Sequence, residues 1–352
     1  MTEAAAPPEP RANPDLVGQD AAAATLRDAA LGGRPHHAWL ITGPEGVGKE
    51  TLAYRYARWL LAGTPEGRPG ATPLHLDSRH PVFARVASGG HADVKPLAPN
   101  VPEGKVRVQI GVDEARAVPR FLSLTPAEGG WRVVVVDHAD WMNAPAQNAI
   151  LKTLEEPPPR ATLLLLSDAP DRLLPTIRSR CRRLSLPPLD GPTLRALLAR
   201  WWPTMAGEER EALARAARGS PGRAARLVEG DGLALAREVD GFLASLPAPD
   251  GRGLHALADR LAAKRDGSAF VGFAEMLRDA LADGIASAAR GAGRGGGPVP
   301  PPAWLAARPL DEWARAWAEL GEVAARTEAL NLDRKEAILG ALRGMAGAGR
   351  RA

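Results

Sequence analysis

The run "AWLITGPEGVGKETLAYRYARWLLAG" at 38–63 constrains the fold more than any other stretch of the chain. A short apolar segment, Ala38–Thr42, leads directly into a glycine loop that ends in lysine, and helical spacing follows from Glu50 to a glycine stop. This is the context of a P-loop, G-x-x-x-x-G-K-[ST]. Its glycines let backbone N–H groups curl round a phosphate, and its lysine reaches the outer phosphates. Gly43, Gly46, Gly48 and Lys49 are in place, but Glu50 stands where the Mg²⁺-holding Ser or Thr belongs. Thr51 comes one residue late and points about 100° further round the helix, so it does not substitute. A carboxylate in the first helical turn suits the helix dipole and repels phosphate. The alternative, a plain glycine turn between strand and helix, leaves the lysine unexplained. The segment reads as a degenerate nucleotide site.

Further strand-like and helix-like segments alternate to about residue 187. "KVRVQI" (105–110) precedes the helical "GVDEARAVPRFLSL" (111–124). "RVVVVD" (132–137), "ATLLLLS" (161–167) and "CRRLSL" (181–186) are apolar runs. The first two have no polar face, as expected of central strands in a parallel sheet covered on both sides. The pattern predicts an α/β P-loop core with a mostly parallel sheet. Asp137, at the end of such a strand, fits the acidic position that serves Mg²⁺ in P-loop domains, and His138 follows where a second acid would orient water. An imidazole there adds no negative charge to polarise a nucleophile.

After "PPLDGP" (187–192) the sequence turns to Ala, Leu, Arg and Glu at helical spacing. The expected organisation is a lead-in without structure at 1–14, the core at 15–187, a small helical lid at 188–232, and an all-helical domain at 233–352. Within the last, "GAGRGGGPVPPP" (291–302) is too rich in Gly and Pro to pack and reads as a mobile loop. No apolar run approaches the roughly 18 residues a membrane span needs. The single cysteine, Cys181, excludes an internal disulfide framework and suits a reducing cytoplasm. A net charge of +4 permits contact with nucleic acid without arguing for it. His75, Asp77, His80 and His91 form a loose cluster whose spacing matches no tetrahedral metal site. The nine tryptophans, Trp201 and Trp202 among them, read as helix-packing residues.

The segment "NAPAQNAILKTLEEPPP" (143–159), followed by "LLLLSDAPDRLLPTIRSRC" (163–181), closely resembles the bacterial clamp-loader family of AAA+ proteins. These are the subunits of DNA polymerase III that open the sliding clamp, and the delta-prime branch is the most similar. Asn143 can cap a helix with Pro145 in its first turn, Pro157–Pro159 stop it, and Ile150 and Leu154 share one face. "TIRSRC" places Arg178 and Arg180 on one edge of the core. Solvated surface arginines would explain them in a generic chain. The resemblance implies instead that Arg180 enters a neighbouring subunit's ATP site, a task that suits a planar fork whose charge cannot be lost. It also implies a lid turn Gly-Ser-x-Arg, which here is "GSPGRA" (219–224), with Gly222 at the arginine position and Arg223 one residue late.

Altered residues at three hydrolysis positions (Glu50, His138, Gly222), beside a retained Arg180, imply a clamp-loader subunit that does not hydrolyse ATP. The degenerate nucleotide site would comprise Gly43, Gly46, Gly48, Lys49, Thr51 and Asp137. No cofactor is required, although ATP or ADP could be bound without hydrolysis. Neither zinc nor any other metal is expected, because the family's four zinc-binding cysteines are missing. Implied partners are the loader's ATPase subunits and delta subunit in a hetero-oligomeric ring, joined through the helical domain as a collar. The sliding clamp and primed DNA follow through the complex, with no membrane. An active AAA+ ATPase, or a P-loop transferase acting on a small molecule, is the other class of reading; the paired motifs speak against the transferase.

Overall fold

The computed structural model describes residues 7–32, 36–65, 72–99, 109–128, 130–264, 267–293, 302–329 and 333–347. By internal contacts the chain divides into two compact units, 1–225 and 226–352. The boundary falls inside the segment expected as the lid.

The first unit opens with α1 (Asp20–Leu31), β1 (Ala38–Thr42) and α2 (Lys49–Leu61). It continues through α3 (Pro81–Ala87), β2 (Val94–Leu97), α4 (Val112–Leu122) and β3 (Arg132–Val136). Then come α5 (Ala144–Glu155), β4 (Ala161–Ser167), α6 (Pro175–Arg180) and β5 (Arg182–Ser185). The five strands are parallel and ordered β2-β3-β4-β1-β5. Strict alternation splits each central strand between two cores. Trp39, Ile41, Val133, Val135, Leu164 and Leu166 face α1, α2 and α3 on one side. Ala38, Leu40, Val134, Val136, Leu163 and Leu165 face α4 and α5 on the other. This double burial is why the runs carry no polar face. The α/β core with a parallel sheet expected from the sequence is therefore present.

β2, "VKPL", is legible only with the sheet in view. It is an edge strand with Pro96 in it, and a proline is tolerated there because one side of the strand needs no ladder partner. Of the expected strand at 105–110, residues 105–108 lie outside the described residues, and Ile110 makes a single bridge to Met142. Asn143 caps α5 by accepting from Ala146 N at 2.9 Å, and Ile150 and Leu154 are buried, as the sequence indicates.

Two expectations need correction. Residues 7–14 are not a structureless lead-in. They include a 3₁₀ turn at Pro10–Ala12 and are strapped to α2 by two buried arginines. Arg58 donates to Arg11 O at 2.6 Å and Asn13 O at 2.7 Å, and Arg55 donates to Pro14 O at 2.6 Å. The Gly/Pro stretch does not begin as a loop at 291 either. The helix over Ser268–Gly293 continues through its first residues, and 294–301 lie outside the described residues.

Beyond β5 come α7 (Gly191–Trp201), α8 (Gly207–Ala217) and α9 (Pro221–Glu229). The second unit, among its described residues, is helical throughout: α10 (Gly232–Ser245), α11 (Gly251–Ala262), α12 (Ser268–Gly293), α13 (Leu310–Ala329) and α14 (Arg334–Gly347). Its core gathers Phe242, Leu257, Phe270, Phe273, Leu277 and Trp313, with Trp304 edge-on to Trp313 at 5.0 Å. No described helix is long and apolar enough to cross a membrane.

Candidate functional site

The sheet order places the C-terminal ends of β3, β4 and β1 side by side, the crevice where open parallel sheets present their chemistry. The loop after β1 turns through glycines with positive φ, and Gly48 caps α2 in a left-handed conformation at φ 106°. Gly46 meets the start of α9. Gly222 N donates to Gly46 O at 2.8 Å, and a Cβ on Gly222 would come within 2.9 Å of Gly46 Cα. The lid position that the family resemblance assigns to an arginine is thus pressed backbone to backbone against the loop.

Lys49 is buried, and its ammonium is held by two carbonyls and a carboxylate of the protein. It donates to Gly43 O at 2.9 Å and Pro44 O at 2.8 Å, and pairs with Asp168 Oδ1 at 2.5 Å. Two hydrogen bonds and one close ion pair thus hold the ammonium. The second oxygen of Asp168 lies 3.6 Å from His138 Nδ1, and His138 Nε2 lies 3.8 Å from Asp137 Oδ2. His138 is itself left-handed (φ 47°), stacks on Trp141 at 4.5 Å, and donates its backbone N–H to Asp137 at 3.0 Å. Lysine, two aspartates and the imidazole between them form one continuous polar chain across three strand ends.

Burial dominates the titration of Asp137. It raises the Asp137 carboxyl above the ordinary range, with Asp168 adding to the rise and His138 opposing it. Glu50 is pushed up to about 7, first by burial and then by the charge of Asp137. The N-terminal strap contributes too, since Arg11 lowers the Glu50 pKa and Glu9 raises it. At neutral pH Glu50 therefore carries only part of its negative charge.

Arg180 lies elsewhere in the core, as the last residue of α6. Its Nη2 pairs with Glu155 at 2.7 Å, its Nη1 donates to Thr176 O at 3.0 Å, and about a third of the side chain (35%) stays exposed. Arg178 turns instead to Asp171, at 2.5 Å. Cys181 is buried, which raises its thiol to about 12 and leaves it unreactive.

Residues 18–190 match the family model described as DNA polymerase III, delta subunit. Over those residues, just under half of the chain, the sequence is similar to the clamp-loader family and close to delta-prime. It is 39% identical over 199 residues to DNA polymerase III subunit delta' of Pseudomonas aeruginosa, covering 56% of this chain and 58% of that one. The same subunit of Escherichia coli K12 is 38% identical over 200 residues, covering 56% of each. The chain spans little more than half the length of these relatives. The crystal structure of a DNA polymerase III gamma subunit-related protein of Thermotoga maritima aligns with 93% of this chain and 99% of that one, at 20% identity and a TM-score of 0.45.

Within this core the structure brings Gly43, Gly46, Gly48, Lys49 and Asp137 to the same strand ends. Thr51 follows Glu50 on α2, a helical step away from the hydroxyl position. Sequence reasoning missed Asp168. Its one signal was that it directly follows the C-terminal end of a fully buried strand. His80 and His91 are local structure: His80 accepts from Val82 N to cap α3, and His91 accepts from Asp93 N. Among the described residues no group of three or more His, Cys, Asp or Glu is placed to hold a metal ion.

The raised Glu50 carboxyl has a measurable consequence. Its folded-state pKa of about 7 exceeds the ordinary 4.5, so the fold prefers the protonated form. That contribution to stability is full below pH 4.5 and is lost as pH rises through 7. Glu50→Gln should flatten this slope and, at pH 8, be more stable than the parent by about 1–3 kcal/mol. Urea unfolding at pH 5 and pH 8 measures the difference. Equal gains at the two pH values would remove Glu50 as its source.

Proposed function

We propose that this protein is a non-hydrolysing subunit of the DNA polymerase III loader. In this reading it stands in a hetero-oligomeric ring with the ATPase subunits and delta, completes a neighbour's ATP site through Arg180, and helps load the sliding clamp on primed DNA. The observation that carries the reading is the engagement of Lys49. An ammonium hydrogen-bonded to two carbonyls and charge-paired with Asp168 must give up those contacts before it can reach a nucleotide's outer phosphates. Glu50 and His138 support the same conclusion, because phosphoryl transfer relies on electrostatic placement and two of its elements are replaced. The protein needs no cofactor and carries no zinc; any ATP or ADP it binds stays unhydrolysed.

The isolated chain should therefore turn over ATP far below roughly 1 s⁻¹, the low end for related phosphoryl-transfer enzymes. Mixed with the other loader subunits, it should enter one complex of defined mass. Steady turnover near that rate by the purified chain would sink the reading and favour an active AAA+ ATPase. Asp168→Asn is the informative companion, because it removes the charge paired with Lys49 while the two carbonyl bonds remain, and should raise ATP affinity by about 10-fold without restoring hydrolysis. Turnover should need Glu50→Thr and His138→Glu as well.

A further inference from the structure

Glu155 is the last residue of α5, where the helix dipole presents its negative end. A carboxylate in that turn works against the dipole, and a basic residue would be favoured. Departures of this kind from local preference mark places where something other than stability has set the residue. What Glu155 touches is the guanidinium of Arg180, at 2.7 Å, across the packed α5–α6 pair. Both ends of that contact rest on rigid ground. Leu154 beside Glu155, and Ile177 and Cys181 beside Arg180, are buried in one core, and Pro157 prevents α5 from continuing. Arg180 is held a second time by the carbonyl of Thr176 on its own helix. Arg178, by contrast, pairs with an Asp171 side chain that is 93% exposed, a partner with little to hold it still.

We propose that Glu155 is a positioning residue for Arg180. Its carboxylate holds Nη2 while Thr176 O holds Nη1, so that the guanidinium's remaining N–H groups are presented to the terminal phosphoryl oxygens of a nucleotide on the neighbouring subunit. The inference rests on the trans role of Arg180 proposed above and adds the residue that aims it. A free arginine carries several rotatable bonds, and every one left unfixed must be ordered during the reaction. A gripped guanidinium has that ordering done beforehand. Because the grip acts on geometry, its loss should lower the neighbour's kcat and leave KM nearly unchanged.

The test is ATP turnover by the fully assembled loader carrying Glu155→Ala, Glu155→Gln, Arg180→Ala or the Arg180→Ala/Glu155→Ala pair. Glu155→Ala should reduce kcat at the affected site by about 10- to 100-fold, the scale of a misplaced catalytic group. Glu155→Gln keeps the shape and one hydrogen bond and should fall between it and the parent. The double variant should be no slower than Arg180→Ala alone. Melting of the Glu155 variants should match the parent, since an exposed pair at a helix end adds little stability. Parent-like turnover by Glu155→Ala in a complex that Arg180→Ala does silence would overturn this inference and leave the trans role standing. A further loss on adding Glu155→Ala to Arg180→Ala would overturn it too, by showing an effect independent of the arginine. Parent-like turnover by Arg180→Ala would bring down the trans role, and this inference with it.

Discussion

Replacing Arg180 with alanine in the assembled loader should leave one ATP site nearly silent while the complex stays intact. Arginines supplied in trans contribute about 10³–10⁵ in rate, or roughly 4–7 kcal/mol of transition-state stabilisation. The fold should be insensitive to the change. Arg180 loses one carboxylate and one carbonyl at a partly exposed helix end, and a pair of this kind is worth at most about 1 kcal/mol. The remaining sites keep their own arginines, so bulk hydrolysis falls by about one site's share. Clamp loading should fall further if the sites act in concert. Arg180→Lys should rescue poorly, because an ammonium cannot reproduce the bidentate fork. Arg178→Ala is the control and should do less, since its partner Asp171 lies out in solvent. Parent-like hydrolysis and clamp loading by an Arg180→Ala complex would exclude the trans role.

Arg58→Ala should destabilise the core by about 3–5 kcal/mol. The side chain is 1% exposed, lies over the Phe83 ring at 4.3 Å, and satisfies two carbonyls of the N-terminal strap. Burial lowers its pKa to about 10, which still leaves it charged at neutral pH. Hydrogen bonds from a charged donor are worth about 1.5–3 kcal/mol each, and the truncation adds a cavity. For a unit of this size the loss corresponds to a drop of roughly 10 °C in melting temperature. The strap over 7–14 should also become a site of early proteolysis. Arg58→Lys keeps the charge but cannot span both carbonyls, so it should recover less than half. A change below about 1 kcal/mol in Arg58→Ala would show that the strap is held by other contacts.

The strap shows why a segment can look unstructured in sequence and be ordered in the fold. "MTEAAAPPEPRANPD" offers no apolar periodicity, and Arg11 and Asn13 within it are held through their backbone carbonyls by a donor about 45 residues away. A carbonyl is the same in every residue, so the segment's own composition carries no trace of the contact. The signal lay in "YRYARW", where Arg55 and Arg58 fall on a helix that is buried on nearly all its faces.

β1 and β4 coincide with their apolar runs and β3 stops one residue short of its run, because a strand buried on both faces must be apolar throughout. The P-loop glycines, the Asn143 cap and the proline stop of α5 are likewise local: each follows from the conformations a few adjacent residues allow. So the sequence by itself determined the α/β core, the glycine loop, the position of Asp137 at a strand end, and Arg180 on an edge helix. Only the tertiary structure decided what those groups touch. β4 lies between β3 and β1, and that order alone puts Asp168 between Asp137 and Lys49, residues far apart in the chain. The packing of α5 on α6 alone gives Arg180 its carboxylate. Strand order and helix pairing are set by the burial of whole faces, which no short stretch encodes. The electrostatics of the site therefore belonged to the fold rather than to the motif.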